Sequence, residues 1–338
     1  MRRISDGCNW PKRRRRKLFP AVFNPELNLS LSQDEMALRA ALRNKCVLSG
    51  LLSQRSSCSS HGRVFASPVL AAQRRNNSTS PKIDVDFDQS TGVAVMRLQS
   101  PPVNSLSLEF LTELCIGVEK LEMDKSCRGL IITSSQPKVF SAGLDITEMY
   151  GKSPERCGEF WRAVQEMWLK LYGSNMITIA AINGSSPAGG CLMSMTCDYR
   201  IMADNPRYSI GLNETQLGIV APFWFMDTMK NTLGHRTTEV ALQLGLLYNP
   251  SEALKIGLVD QLVPEDQILT TAKQTMTKWL AIPDHARAIT KSMMRKPTID
   301  KLTSNREADI KYFVNFITKD SIQKSLGMYM EMLKKRRG

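Results

Sequence analysis

Residues 176–191 read Met176-Ile-Thr-Ile-Ala-Ala-Ile-Asn-Gly-Ser-Ser-Pro-Ala-Gly-Gly-Cys191, and three kinds of chain follow one another within them. Met176–Ile182 is an apolar, β-branched run of strand length, which predicts a strand buried on both faces. Asn183–Pro187 carries turn residues. Ala188, Gly189 and Gly190 then remove side chains at the point where an apolar helix has to begin.

The same order recurs outward in both directions. Upstream, Gly129–Thr133 is a second buried strand, followed by the small-residue turn Phe140-Ser-Ala-Gly-Leu-Asp145. A helix bearing Phe160, Trp161, Val164, Trp168 and Leu171 comes next. Downstream, Tyr199–Ala203 and Arg207–Ile210 are expected to pair around a turn at Asp204–Pro206, and Ile210-Gly-Leu-Asn-Glu-Thr-Gln-Leu-Gly218 closes that unit. Nearer the N-terminus, Ile83, Val85 and Phe87 alternate with polar residues and Val93–Leu98 resumes after Ser90–Gly92, the pattern of a hairpin. Leu108, Leu111, Leu114, Cys115, Val118 and Leu121 then fall on one helical face. The repeating unit is strand, strand, helix, so the fold class is α/β. Beyond residue 222 nearly everything reads as helix, ending in two long helices between about residues 301 and 336. No sequence repeat of solenoid length is present.

The chain has 338 residues, 42% hydrophobic and 23% charged, ordinary proportions for a soluble globular protein. Its formal charge of +13 looks like a nucleic-acid signal until it is located. Residues 1–80 hold 15 Lys and Arg against 4 Asp and Glu, whereas the remainder holds 30 against 28. The basicity belongs to the leader and says nothing about the partners of the folded part. From Met36 to Ile83 there is no acidic residue, while eight Lys and Arg are spaced among Ala, Leu and many serines. That is the composition of a mitochondrial transit peptide, with a disordered basic tail as the alternative. Residues 1–35 differ. They carry acids, three prolines and the run Arg13–Arg16, which reads as a nuclear-import signal or as a solvated tail. The eight cysteines show no C-x-x-C spacing and, with His61, His235 and His285, form no metal-ligand pattern. The five cysteines after residue 80 suit reduced, buried thiols. No apolar run approaches the ~20 residues that span a bilayer.

Each of the three glycine-containing segments alone signals only a tight turn. Together they carry chemistry. Small residues let backbone N–H groups approach a ligand, and two such donors converging on one oxygen form an oxyanion hole. Gly189 and Gly190 also stand at a helix N-terminus, whose partial positive charge favours an anion. A thioester carbonyl held there accepts enolate charge, and its α-hydrogen becomes acidic enough for a carboxylate to remove. Glu214 by itself reads as a solvated surface residue. Flanked by Ile210, Leu212, Leu217, Ile219 and Val220, it reads instead as a partly buried base of raised pKa.

The set Ser141-Ala-Gly-Leu-Asp145, Pro187-Ala-Gly-Gly-Cys191 and Asn213-Glu-Thr-Gln-Leu-Gly218, in this order and spacing, resembles the crotonase (enoyl-CoA hydratase/isomerase) superfamily. Pro102-Val-Asn-Ser-Leu106, Asn205-Pro-Arg-Tyr208 and Phe316-Ile-Thr-Lys-Asp-Ser-Ile-Gln-Lys-Ser325 bring the resemblance closer to its mitochondrial Δ3,Δ2-enoyl-CoA isomerases, also called dodecenoyl-CoA isomerases. It covers residues 82–336. The fold it implies is a crotonase-like spiral of repeated β-β-α units with a C-terminal helical region. The activity it implies is an intramolecular isomerase moving a 3-cis or 3-trans double bond of a fatty acyl-CoA to 2-trans during β-oxidation, in the mitochondrial matrix. Ala142 and Gly189 are implied as oxyanion-hole donors. Gly143, Leu144, Asp145 and Ile146, with those two, are implied as the strip that binds the substrate. Glu214 is implied as the single acid–base, taking a proton from C2 and returning it at C4. No cofactor or metal is implied, because coenzyme A is part of the substrate, and the assembly implied is a homotrimer. Neither nucleic acid nor a membrane span enters the expectation.

Where this chain has Leu192, the superfamily's hydratases carry a second Glu, since adding water needs one carboxylate to activate it and another to deliver a proton. The dienoyl-CoA isomerases place acids at the positions of Leu192 and Pro222. One base suffices to shift a double bond, and an apolar pocket keeps its proton from water. Phe140, Phe223, Trp224 and Phe225 are candidate walls for that pocket, or ordinary core. Two rivals remain: hydration of 2-enoyl-CoA, disfavoured by Leu192, and a non-catalytic RNA-binding module, disfavoured by the near-neutral charge after residue 80 and by Glu214. The expected organisation is an N-terminal extension over 1–35, a transit peptide over 36–81, a catalytic core over 82–300, and C-terminal helices over 301–338 packing on the core or a neighbouring subunit.

Overall fold

Local chemistry sets the first elements. The computed structural model describes residues 81–337; everything expected of residues 1–80 lies outside them. Ile83–Asp88 (β1) and Val93–Leu98 (β2) form the hairpin, in register from Ile83 opposite Leu98 to Asp88 opposite Val93. The Asp88 carboxylate tightens its turn by accepting from the Ser90 N–H at 2.9 Å and the Ser90 hydroxyl at 2.6 Å. Leu108–Met123 (α1) starts on Ser107, whose side chain accepts from the Phe110 N–H. It buries Phe110 and five of the six expected residues, leaving Leu108 half-buried. Pro154–Tyr172 (α2) starts on Ser153 with proline in its first turn, where a missing N–H costs nothing.

Both hairpin strands join a six-stranded sheet, and each later unit sends its first strand to that sheet and its second elsewhere. The large sheet runs β1-β2-β4-β7-β9-β11, with Gly129–Ser134 as β4, Ile177–Ile182 as β7, Tyr199–Ala203 as β9 and Gln261–Val263 as β11. Only its β1–β2 pair is antiparallel. β4 and β7 are buried at every residue, as parallel central strands covered on both faces are. The second strands build a small platform. Lys138–Val139 (β5), Gly184–Pro187 (β8) and Ile210–Gly211 (β10) form a parallel sheet in the order β10-β8-β5, and Ser105–Leu106 (β3) pairs with Gly143–Leu144 (β6). Gly189–Thr196 (α3) packs on this platform, buried at all eight residues.

One expected pairing does not form. Both edges of β9 are occupied, by β7 and by β11, so the segment after Pro206 cannot fold back on it. Ile210–Gly211 pairs with β8 instead. Residues beyond 222 form Phe223–Leu233 (α4), His235–Leu244 (α5), Pro250–Lys255 (α6), Ile268–Leu280 (α7), Asp284–Ile317 (α8) and Asp320–Arg337 (α9). The three-residue β11 interrupts them. α8 begins well before residue 301: it carries Pro297 in its interior and leaves helical geometry only at Asn305 (φ −125°, ψ 16°). An aromatic cluster of Trp161, Trp168, Trp224, Phe225 and Phe313 locks α2, α4 and α8 together, with the Trp161 and Phe313 rings stacked at 3.8 Å.

Candidate active site

The two small-residue turns meet where β6 passes the start of α3. Gly143 adopts φ +88°, and a Cβ there would stand 2.9 Å from the Gly189 nitrogen. Conversely, a Cβ on Gly189 would stand 3.1 Å from the Leu144 nitrogen. Backbone thus touches backbone because no side chain intervenes. Ala188, which holds the turn before Gly189, sits at φ +49° and ψ −122°, a conformation that costs an alanine strain and aims the first amides of α3.

The two implied oxyanion donors differ. The Gly189 N–H has no backbone acceptor among the described residues. The Ala142 N–H does have one, donating to the Val103 carbonyl at 2.9 Å. Of the two implied donors, then, Gly189 is without a backbone acceptor among the described residues and Ala142 is engaged. Asn104 explains the engagement. It is fully buried at φ +50°, accepts from the Ser100 N–H at 2.8 Å, and donates to Ser134 Oγ at 2.7 Å and the Phe140 carbonyl at 3.0 Å. Its own carbonyl accepts from the Ser141 hydroxyl at 2.8 Å, and Ser141 Oγ accepts from the Gly143 N–H at 3.2 Å. One asparagine therefore positions residues 140–143. It was quoted above only as part of a motif; the available signal is that Asn is among the few residues at ease with positive φ.

Glu214 opens a 3₁₀ turn, Glu214–Leu217, closed by Gly218 at φ +74°. It is 6% exposed, and its Oε2 is buried without a hydrogen-bond partner among the described residues. Burial pushes its carboxyl up to about 7, against a smaller downward pull from its own N–H. Of its expected apolar company, Ile210 and Leu212 are buried, while Val220 is 54% exposed. The thiol of Cys191 on α3 is raised first by burial and then by the charge of Glu214. The Asn213 Oδ1 and Ser186 Oγ atoms are likewise buried without partners. Leu192 is fully buried and Pro222 half-buried, so neither position offers a second acid.

A cleft of about 510 Å³ runs along the strip. Val103, Ala142, Leu144, Asp145 and Ile146 form one wall, and Tyr329, Met330, Leu333 and Lys334 of α9 form the other. The Asp145 carboxylate is occupied in accepting from the Thr147 N–H and hydroxyl at 2.9 and 2.7 Å. Gln323 fastens α9 in place: its Nε2 donates to the Met149 and Ile317 carbonyls at 3.1 and 2.7 Å, and its Oε1 accepts from the Gly151 N–H at 2.9 Å. None of the four candidate aromatic walls borders this cleft. Trp224 and Phe225 belong to the interhelical core, Phe140 is fully buried, and Phe223 lies under the Lys301 ammonium at 4.3 Å. Among the described residues no group of His, Cys, Asp and Glu has the grouping of a metal site, and no helix is long and apolar enough to cross a membrane. Burial raises the thiols of Cys115 to about 12 and of Cys127 and Cys197 to about 11, so they stay protonated at neutral pH.

A β-β-α spiral, a buried carboxylate and a glycine-built amide strip define a class of thioester enzymes, and sequence comparison agrees. The enoyl-CoA hydratase/isomerase family profile matches residues 88–337, and the chain belongs to that family. It is 62% identical over 259 residues to human mitochondrial enoyl-CoA delta isomerase 1, covering 77% of this chain and 86% of the human one. The mouse counterpart is 63% identical over 257 residues, covering 76% and 89%. The crystal structure of human mitochondrial Δ3-Δ2-enoyl-CoA isomerase superposes with a TM-score of 0.75 at 63% identity, over 76% of this chain and all of that one. An enoyl-CoA hydratase from Bacillus halodurans, 22% identical with a TM-score of 0.67 over 73% of this chain and 99% of its own, shares the fold.

Proposed function

We propose that the chain is a Δ3,Δ2-enoyl-CoA isomerase that moves a 3-cis or 3-trans double bond of a fatty acyl-CoA to 2-trans in β-oxidation. The observation that carries this reading is Glu214, a buried carboxyl of raised pKa with an unpartnered oxygen, together with a fully buried apolar residue, Leu192, where a hydratase needs its second acid. Adding water across the double bond requires two acid–base groups; a shift of the bond requires one that takes the C2 proton and gives it back at C4. A carboxyl poised near neutrality does both, since its two protonation states are close in free energy. The Gly189 N–H is the first oxyanion donor, at the N-terminus of α3. The Ala142 N–H becomes the second by sharing, or exchanging, its Val103 acceptor for the thioester oxygen. Gly143, Leu144, Asp145 and Ile146 line the path of the CoA portion. No cofactor is needed beyond the coenzyme A of the substrate.

The relatives' names and the acid-free segment from Met36 to Ile83 support a mitochondrial protein, imported to the matrix. In this reading residues 36–81 are the transit peptide, 82–300 the catalytic core and 301–338 the C-terminal helices, with α8 bridging the last two. The assembly is a homotrimer that takes no nucleic acid. The test is direct. The chain converts a 3-enoyl-CoA to the 2-enoyl-CoA, and Glu214→Gln lowers turnover by at least ~10²–10⁴-fold while leaving the dissociation constant of a 2-enoyl-CoA nearly unchanged. Turnover within tenfold of the parent removes Glu214 from the mechanism.

A further inference from the structure

A second cleft, also about 510 Å³, opens where α7 meets the first turns of α8, bordered by Asp198, Trp279, Ile282, Arg287, Lys291 and Arg295. The three cations are spaced by four along α8 and share one face. One carboxylate, Asp198, faces them, and its acceptor capacity is filled. It takes Lys291 Nζ at 2.7 Å, Arg295 Nη2 at 2.9 Å, and the Thr178 N–H and hydroxyl at 2.9 and 3.2 Å. Lys291 donates further to the Met176 carbonyl at 2.9 Å, and Arg295 to the Tyr172 and Thr196 carbonyls at 2.9 Å each. These two cations are satisfied.

Arg287 is not. Its side chain is 8% exposed, and its Nη2 donates to Asp284 at 2.8 Å. Asp284 is already gripped by Arg128 at 2.7 and 3.0 Å. The Arg287 Nε and Nη1 atoms are buried without an acceptor among the described residues. Across this set, four cations meet two carboxylates. Buried guanidinium donors left unpaired are costly, and a cleft that borders them offers the place from which an acceptor can come.

We propose that this cleft is an anion-binding site separate from the Glu214 site. Arg287 supplies unmatched N–H donors to a carboxylate or phosphate group, Lys291 and Arg295 supply positive field, and Trp279 and Ile282 receive an apolar body attached to the anion. The test uses the full chain in a buffer of low anion content, with octanoate as a carboxylate carrying an apolar body and inorganic phosphate as the bare anion. Octanoate raises the melting midpoint by about 2 °C or more and perturbs the fluorescence of Trp279, the latter absent in Trp279→Phe. Arg287→Met, which keeps the apolar stem, abolishes both responses and leaves turnover at the parental value. Arg287→Lys weakens the response at least fivefold and serves if the methionine variant does not fold. A larger response to phosphate than to octanoate assigns the site to phosphate-bearing ligands. No response to either anion, or equal responses in parent and Arg287→Met, overturns the proposal. So does a fall in assembly mass in Arg287→Met without any anion response, which would give the guanidinium to a neighbouring chain's carboxylate.

Discussion

Glu214 carries its burial as a cost that depends on pH. Folding raises its carboxyl from 4.5 to about 7, so the folded state binds this proton more tightly than the unfolded chain does. The resulting stability is fully present below the unfolded value and is lost as pH rises through about 7, where the buried charge costs on the order of 3 kcal/mol. Glu214→Gln, which cannot ionise, should therefore gain on the parent in urea denaturation between pH 5 and pH 8.5. A stability difference that stays flat across that range would mean that the carboxyl titrates as if in water. Leu192 is the complementary residue. Leu192→Glu should bring detectable 3-hydroxyacyl-CoA formation from 2-enoyl-CoA, inefficiently, and should destabilise the fold because a fully buried position then holds a titratable group. A parent that hydrates as fast as it isomerises would void the argument from Leu192.

At the scale of elements, legibility followed burial. β4 and β7 were plain because every residue in them is apolar or enclosed, and α1 and α2 because their buried residues recur at helical spacing. The two-residue strands β3, β5, β6 and β10 carry no periodicity to read, and β10 was assigned to the wrong partner because sheet edges are settled by tertiary contacts. Glu214 and the glycine turns were visible as residue types. The Ala142–Val103 bond was not, nor was α9 as a wall of the cleft, since both join segments through space alone. That wall depends on Gln323. Gln323→Ala leaves the Gly151 N–H and two carbonyls without their partner, worth about 1–3 kcal/mol of local stability. Hydrogen exchange in α9 should accelerate at least tenfold and KM for the acyl-CoA should rise, with kcat less affected; unchanged exchange would show that α9 is held by other contacts.

For the whole molecule, charge partition is the decisive sequence feature, with the basic residues gathered before residue 80 and near-neutrality after it. If the leader is a transit peptide, protein recovered from tissue should begin between Arg63 and Lys82, and a chain started at Met36 should import as well as the full one. A mature protein that still carries Met36 would count against matrix processing. The cleft adds a constraint of timing. Its first wall is drawn from residues 103–146, but its second, Tyr329 to Lys334, falls within the final ten residues of the chain. A polypeptide made or threaded N-terminus first can therefore build its sheet long before both walls of the cleft are in place. If the cleft holds the acyl-CoA of the proposed reaction, a chain that has folded its sheet but not yet Tyr329–Lys334 should be ordered at its centre and silent toward that substrate.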